Sequence, residues 1–553
     1  MDANDLISRW NSLDSERSAV KAKVQEIMEY CLPGRATVAV QRAEGHNVRE
    51  LFDSTAETAC QRFATGMYNF MWSPARRNFL LRPPIEEGPG SGDVWRPLLA
   101  ISETIQDEMG SSNFEEAFYE IAQDWGTAGL ATMEPSRGLT SLYEFAAYPF
   151  EQIVFAENSR GRVDTVLRRT GMTARQIVQE FGPGPQAVGK TIWDAYSAND
   201  GRDRDKVFEI LHGAIPRAEY SAGARDVLNM PVASVWVAVT DRILLRESGW
   251  PEQRYLVSRF AKASGEKHGR SPARMCLPDV KMVNQIEQSV IEGAEQVVRP
   301  PILNPDGAAL IPDKRGRIVY KPGSILNYRS NPMAPGLRPE PFPSGARVDF
   351  GAEYAESKRQ IIKSAFFNDL FLILGDEKRR TATEVRSILA EKLAMLGPAF
   401  GRIKVEMFDP MIRVLLSILA ERPDLLRGIP LGYLQLSNIR YISTLAIAME
   451  YAELSLIEDA MMFLSPLGEL DPTIFDNLSF DEITRGFLEK MAWPVRWLKS
   501  RDEVKALREA RMQYQAQQLQ QALAQQQIDQ AWQRTKRPEP GSPADELLNR
   551  RAA

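Results

Sequence analysis

Residues 245–301 read L-R-E-S-G-W-P-E-Q-R-Y-L-V-S-R-F-A-K-A-S-G-E-K-H-G-R-S-P-A-R-M-C-L-P-D-V-K-M-V-N-Q-I-E-Q-S-V-I-E-G-A-E-Q-V-V-R-P-P. From Pro278-Asp279 onward the apolar residues Val280, Val283, Ile286, Val290, Ile291, Val297 and Val298 fall on one side of a helix. Some ~20 residues at ~1.5 Å each make a rod of ~30 Å. Pro300-Pro301 end it, because the residue before a proline is driven out of the helical region. Residues 302–350 are rich in Pro and Gly, with strand-like pieces at 317–320 and 324–328, and predict a small non-helical module. A second rod starts near Ala352, with Tyr354, Ile361, Ile362, Ala365 and Phe366 on one side. Each one-sided stripe needs cover, which identical copies closing around an axis can supply.

Upstream, residues 6–31 carry a helical stripe of Leu6, Trp10, Leu13, Val20, Val24, Ile27, Met28 and Cys31, ended by Pro33 and Gly34. Phe52-Asp53-Ser54-Thr55-Ala56 leads into a helix of small residues, then Trp72-Ser73-Pro74 and a strand at Phe79, Leu80 and Leu81. A third helix covers 114–122 and ends where Gly126 and Gly129 mark a tight approach to the next strand. Strands follow at 150–155, 163–167, 232–239 and 242–245. Beyond the second rod, Thr381-Ala382-Thr383-Glu384 reads as a capping box opening a long helix through Val385, Leu396, Phe400, Ile403, Met407, Met411 and Leu419, kinked at Pro398 and Pro410. Shorter helices are expected over 430–500. A Gln-rich helix from Arg501 to Trp532 precedes a Pro-rich, charged tail.

At 553 residues the chain has room for several cores, and a prior of ~150 residues per domain suggests three or four. Hydrophobic content of 44% and charged content of 25% are those of ordinary globular proteins. No apolar run approaches the ~18 residues of a membrane span, and the start, M-D-A-N-D, has no signal-peptide pattern. Cys31, Cys60 and Cys276 lack the spacing of a zinc site or disulfide frame and read as buried free thiols. A formal charge of -5 argues against a tight grip on nucleic acid, which runs on phosphate neutralisation.

One motif points to an enzyme. Gly184-Pro185-Gln186-Ala187-Val188-Gly189-Lys190-Thr191 satisfies G-x-x-x-x-G-K-[ST], the phosphate loop of ATPases, with V-W-V-A-V-T-D at 235–241 as a candidate acidic strand. That loop needs a strand before its glycines, and here Thr173 opens a helix that runs to Phe181. Pro183 and Pro185 also remove donors that would face phosphate, so an ordinary surface turn is favoured over a packaging ATPase. His46, His212 and His268 have no metal-ligand spacing, and no catalytic signature stands out, so no cofactor, metal or catalytic residue is assigned.

The 245–301 stretch resembles the portal proteins, or head-to-tail connectors, of short-tailed bacteriophages. In that family a strand ending in E-S-G-[YW] leads to an R-[WF] pair, a G-E-x-[YH]-G-R-S-P loop and a helix running from P-D to P-P. Glu247, Ser248, Gly249, Trp250, Arg259, Phe260, Gly265, Glu266, His268, Gly269, Arg270, Ser271, Pro272, Pro278, Asp279, Pro300 and Pro301 fit it. D-S-T-A at 53–56 and T-A-T-E-V at 381–385 are further matches, in the family's order.

The resemblance implies an α+β, mainly α, portal fold: wing (1–275), stem helix (276–301), clip (302–350), second stem helix (351–373), channel loop and long wing helix (374–430), crown (431–500), and a C-terminal helix or barrel with its tail (501–553). It implies a dodecameric ring at one capsid vertex, present in the virion and in the host cytoplasm during assembly. Its partners would be terminase, a tail adaptor, the major capsid and scaffolding proteins, and passing double-stranded DNA read without sequence specificity. There is no membrane partner. Lys378, Arg379 and Arg380 would face DNA in the channel, tempered by Asp376 and Glu377, while Lys314, Arg315, Arg317 and Tyr320 in the clip would meet the docking partners. A mildly acidic wall would otherwise keep DNA moving. A monomeric adaptor or scaffold is the third class, and particle mass separates it from a ring.

Overall fold

The apolar stripe of residues 6–31 folds as two helices, α1 (Ala3–Glu16) and α2 (Ser18–Cys31), and not as the single helix its spacing predicts. Arg17 stands at the break. Its buried guanidinium donates to the backbone carbonyls of Phe150 and Ile153 at 2.6 Å and of Glu151 at 2.7 Å. Three charge-assisted bonds to one turn outweigh the helical bonding given up there.

A computed structural model describes residues 2–35, 50–72, 77–82, 91–198, 201–218, 227–298, 348–372, 396–422, 438–442, 460–466, 478–484 and 501–535, with two-residue strands between 302 and 341 and a few isolated positions. The chain divides into two units, Met1–Leu467 and Gly468–Ala553. Within the described residues it is an α+β protein, mainly helical, as expected.

In the first unit, α3 (Thr55–Met71) and β1 (Phe79–Arg82) fall where the sequence places them, and α4 (Ser91–Gly110) was not anticipated. α5 (Phe114–Thr127) runs past the expected end at residue 122 and through Gly126. Gly126 serves packing: a Cβ there would come within 3.0 Å of the Phe63 ring on α3. The glycine that does shape the exit is Gly129, at φ +73, whose N–H donates to the Asp124 carbonyl at 2.9 Å.

Two antiparallel sheets follow. β2 (Leu130–Arg137), β3 (Tyr143–Tyr148) and β9 (Leu256–Arg259) form one, in the order β3-β2-β9. β4 (Ile153–Glu157), β5 (Val163–Thr173), β6 (Val207–Pro216), β7 (Val232–Ala238) and β8 (Ile243–Trp250) form a sequential meander. Phe150–Gln152, read as strand from sequence, is the 3-10 turn that Arg17 caps. Arg242 sits in the β7–β8 turn at φ +53, so β8 starts at Ile243 and continues to Trp250, well beyond the expected 245. Helices α6 (Ala174–Phe181) and α7 (Lys190–Ser197) cover one face of this sheet through Ile177, Val188, Ile192, Phe208 and Ile210.

The long helix α8 spans Pro272–Val298 and opens at Pro272, before the Pro278-Asp279 start that the sequence suggests. Ser271 decides it: its hydroxyl accepts the Arg274 N–H at 3.1 Å, and Pro272 takes the first position, where a missing donor costs nothing. Pro278 is carried inside the helix because Ala273, Cys276 and Leu277 before it are buried in the core. Four two-residue strands, paired Ile302–Leu303 with Glu340–Pro341 and Ala309–Leu310 with Tyr328–Arg329, lie between α8 and α9 (Val348–Ala365). α8 and α9 are antiparallel partners: Asp279 pairs with Lys358 at 2.9 Å, and Gly351 packs on Val290.

After α10 (Asn368–Leu372), residues 396–403 are helical and include Pro398, and the turn before it, where a kink is expected, lies outside the described residues. The distortion ahead of Pro410 is a π turn at Lys404–Phe408, and α11 (Asp409–Leu419) continues from it. The zone expected to hold only short helices contains a strand, Asn438–Tyr441, paired with β1. The main core joins α3, α5, α8 and α11, with Phe118 stacked on Phe408 at 6.2 Å. In the second unit, α12 (Arg501–Thr535) is one unbroken helix that exposes Leu507, Met512, Leu519 and Leu523. Arg508 pairs with Asp481 at 2.6 Å.

Candidate functional site

Arg259 ends β9 with its side chain only 2% exposed. A guanidinium that deep must find fixed acceptors. It forms ion pairs with Glu157 at the end of β4 and with Glu406 in the π turn, the latter at 2.5 Å. It also donates to the carbonyls of Lys267 at 3.1 Å and Gly161 at 3.4 Å. The Arg259 backbone N–H donates to Glu406 Oε2 at 2.8 Å, and Lys262 reaches Glu157 at 2.7 Å. Burial works against the charge on Arg259, but the bonds and charges of Glu406 and Glu157 outweigh it and raise its pKa. For Glu157 too, burial opposes ionisation, and Lys262 and Arg259 prevail, holding its carboxyl below the usual range.

The loop leaving this cluster returns the chain to α8. Phe260 N–H donates to the Gly129 carbonyl at 3.1 Å and Arg270 N–H to the Ala261 carbonyl at 2.7 Å. Gly269 is pressed against Gly129, and a Cβ on Gly129 would fall 2.7 Å from the Arg270 carbonyl carbon. Glu266 and Arg270 pair at 2.7 Å on the outside of the loop. His268 packs edge-on against Phe150 and Phe155. Burial, helped by the charges of Lys267 and Arg17, lowers its pKa to about 4. So the motif residues form a structural joint among two sheets, the π turn and the foot of α8.

The phosphate-loop match fails on geometry. α6 precedes the glycines, its start fixed by a reciprocal cap between Thr173 and Gln176, so no strand delivers them. Asp241 sits at the amino end of α7, where its carboxylate accepts the Thr191 hydroxyl at 2.6 Å and the Thr191 N–H at 3.2 Å. A negative group thus occupies the place a phosphate would need. His212, fully buried, is held by Tyr255 at 2.5 Å and Ser234 at 2.9 Å and stacks on Trp236. Cys31, Cys60 and Cys276 are buried and free, as expected. Among the described residues no group of His, Cys, Asp and Glu is placed to hold a metal ion, and no helix is long and apolar enough to cross a membrane.

Lys378, Arg379 and Arg380, and Lys314, Arg315, Arg317 and Tyr320, lie outside the described residues. Sequence reading quoted Arg259 but missed Arg17, Glu157 and Glu406. Only Glu406, set between Val405 and Met407-Phe408, carried a local signal as a charge inside an apolar stretch; Arg17 and Glu157 adjoin polar residues.

The family of bacteriophage head to tail connecting proteins matches residues 3–498. The chain belongs to that family. It is 27% identical over 525 residues to the portal protein of Salmonella phage epsilon15, covering 92% of this chain and 90% of that one. It is likewise 27% identical over 542 residues to the probable portal protein of Bordetella phage BPP-1, covering 95% and 94%. These matches bear out the resemblance to portal proteins, and a packaging ATPase finds no support in them. A chain from the virion of a native gene transfer agent aligns over 81% of this connector with a TM-score of 0.31 and 12% identity, too low to carry weight.

Proposed function

We propose that this connector is the portal subunit of a short-tailed phage, closing as a dodecameric ring at one capsid vertex. The ring is the channel for genome packaging and ejection and the dock for terminase and then a tail adaptor. The single observation that carries this is the family match across residues 3–498, with two portal relatives aligned over nearly their full lengths. The subunit is a passive connector, and ATP is spent by the motor that docks on it.

The α8–α9 hairpin supports the ring. Met275 and Met282, a heptad apart on α8, are 64% and 40% exposed, and Tyr354 and Ile361 on α9 are each 44% exposed. Tyr354 Oη lies 3.7 Å from Met282 Sδ, so the two helices share one outward apolar strip. Half-exposed Met and Tyr suit an interface core, and the nearby Lys358 ammonium is already paired with Asp279 at 2.9 Å. In this reading α8 and α9 are the stem, residues 302–350 the clip with Lys314, Arg315, Arg317 and Tyr320 for docking, and Lys378, Arg379 and Arg380 the charges met by DNA. The wing, channel helix, crown and C-terminal helix follow the boundaries given above, and the capsid and scaffolding proteins meet the wing side.

Particle mass and a projection image of purified protein test it. An annular particle many times the 62.2 kDa of one chain is expected. A stable single copy with no annular form overturns the reading.

A further inference from the structure

Leu139 stands at the tip of the β2–β3 hairpin with its side chain fully exposed. A single exposed leucine is ordinary on a surface, but this one is carried on a stiff mount. The Gly138 N–H donates to the Leu142 carbonyl at 3.4 Å, and the turn is so tight that a Cβ on Gly138 would fall 2.6 Å from the Ser141 carbonyl oxygen. The Ser141 hydroxyl donates to the Tyr143 carbonyl at 2.6 Å. Tyr143 is buried, and its Oη donates to the Leu415 carbonyl at 3.2 Å, which ties the hairpin to α11. Arg137 pairs with Glu421 at 3.3 Å beside it. Such a mount loses little freedom when the tip is buried by a partner.

At the opposite end of β2, a pocket of about 150 Å³ opens between α2 and the foot of α8. Val20, Val24 and Ile27, one face of α2, line it together with Ala128, and Lys23 and Arg274 stand among them. An apolar space of about this size takes up a benzene ring, so the smaller side chain of a leucine fits. β2 is eight residues long, roughly 26 Å at ~3.3 Å per residue, so the tip of a chain does not reach its own pocket. Arg274 precedes Met275, the first methionine of the exposed α8–α9 strip, and the pocket thus continues the surface assigned above to the contact between copies. The charges also match: Arg274 is exposed at the pocket, and Glu144 is exposed near the tip, opposite Ser136.

We propose that Leu139 of one copy seats in the α2–α8 pocket of the next, a contact that rests on the ring reading above. It is heterologous: each copy offers its tip on one side and its pocket on the other, and a closed ring leaves neither unused.

Leu139→Cys combined with Ala19→Cys, at the exposed edge of the pocket, tests the contact in the assembled full-length protein under copper–phenanthroline oxidation. Cys31, Cys60 and Cys276 are buried and stay out of the reaction. The double variant is expected to give a ladder of covalently joined chains that neither single variant gives. Leu139→Asp, at a side chain the fold does not bury, is expected to raise by about tenfold or more the protein concentration needed to hold the large particle, and Leu139→Met to stay within about threefold. Rings of the double variant without the ladder, or Leu139→Asp rings as persistent as wild type, overturn the contact and leave the ring standing. A missing ladder with the Ala19→Cys thiol shielded from maleimide assigns the pocket to a different occupant and overturns the contact as well. A wild-type chain that forms no annular particle overturns the ring reading and this contact with it.

Discussion

Gly129 and Gly269, far apart in sequence, meet backbone to backbone, and neither position has room for a methyl group. Gly129 also adopts φ +73, which L side chains rarely tolerate. This contact seats the motif loop on the end of α5, just ahead of the start of α8. Gly129→Ala should therefore combine backbone strain with a clash and cost at least ~3 kcal/mol. A denaturation midpoint close to wild type would show that the loop can move aside.

Arg259→Ala should be worse than its lost bonds suggest, because Glu157 and Glu406 would remain as partly buried carboxylates without their shared cation. Breaking a buried pair from one side costs about 3–5 kcal/mol. Arg259→Lys should recover only part of that, since an ammonium cannot serve both carboxylates and two carbonyls in one plane. Equal stability of the Lys variant and wild type in a denaturant titration would contradict this geometry.

What the sequence made legible follows from locality. Proline pairs, one-sided stripes and turn residues act on their neighbours, so α8, α9, the β7–β8 hairpin and the helix of 501–532 are readable from spacing. The break at Arg17 is not, because its cause is a set of carbonyls at 150–153. The α8 start was misplaced because two prolines compete, and only the Ser271 hydroxyl on Arg274 separates them. Arg259 was visible as part of a wording, yet its partners sit 102 and 147 residues away. The β1 pairing with Asn438–Tyr441 is hidden for the same reason. The family itself was legible because wordings such as G-E-K-H-G-R-S-P encode this joint locally.

His268 gives the joint a pH dependence of calculable sign. Its folded pKa, about 4, lies below the unfolded value of ~6.5, so the neutral imidazole is the form that folding favours. Its stabilising share is complete above the unfolded value and is lost as pH falls from ~6.5 toward ~4, an effect on the order of 1–3 kcal/mol. Burial, with the charges of Arg168 and Arg246, also holds the deeply buried His212 well below its usual range, so its stabilising share is likewise lost on acidification. Carboxylates titrate in part of this window, so the difference between wild type and His268→Gln isolates the histidine. Parallel Tm curves for the two proteins between pH 7 and pH 4 would exclude its contribution.

Asp241→Ala should leave the Thr191 N–H and hydroxyl without their acceptor at the start of α7, costing about 1 kcal/mol, as helix-cap losses do. It should not create a nucleotide site, because the preceding α6 still presents no strand to the glycines. ATP with magnesium should shift the Tm of neither Asp241→Ala nor Lys190→Ala. A nucleotide-dependent rise that Lys190→Ala abolishes would reinstate the phosphate-loop reading.

The outward strip on the α8–α9 hairpin separates assembly from folding. Met282 and Ile361 are exposed on the subunit, so Met282→Glu with Ile361→Glu removes little buried area from the fold, and surface changes of this kind usually stay within about 0.5 kcal/mol. Placed between subunits, the same two carboxylates would be desolvated against an apolar neighbour at every contact around a ring. The double variant should therefore keep the subunit's circular dichroism and lose the large particle in light scattering, running near the mass of a single chain. Reversal by Met282→Leu with Ile361→Val, which restores apolar character, would assign the defect to the strip. Full-size particles from the Glu variant would place the subunit contact elsewhere on the chain.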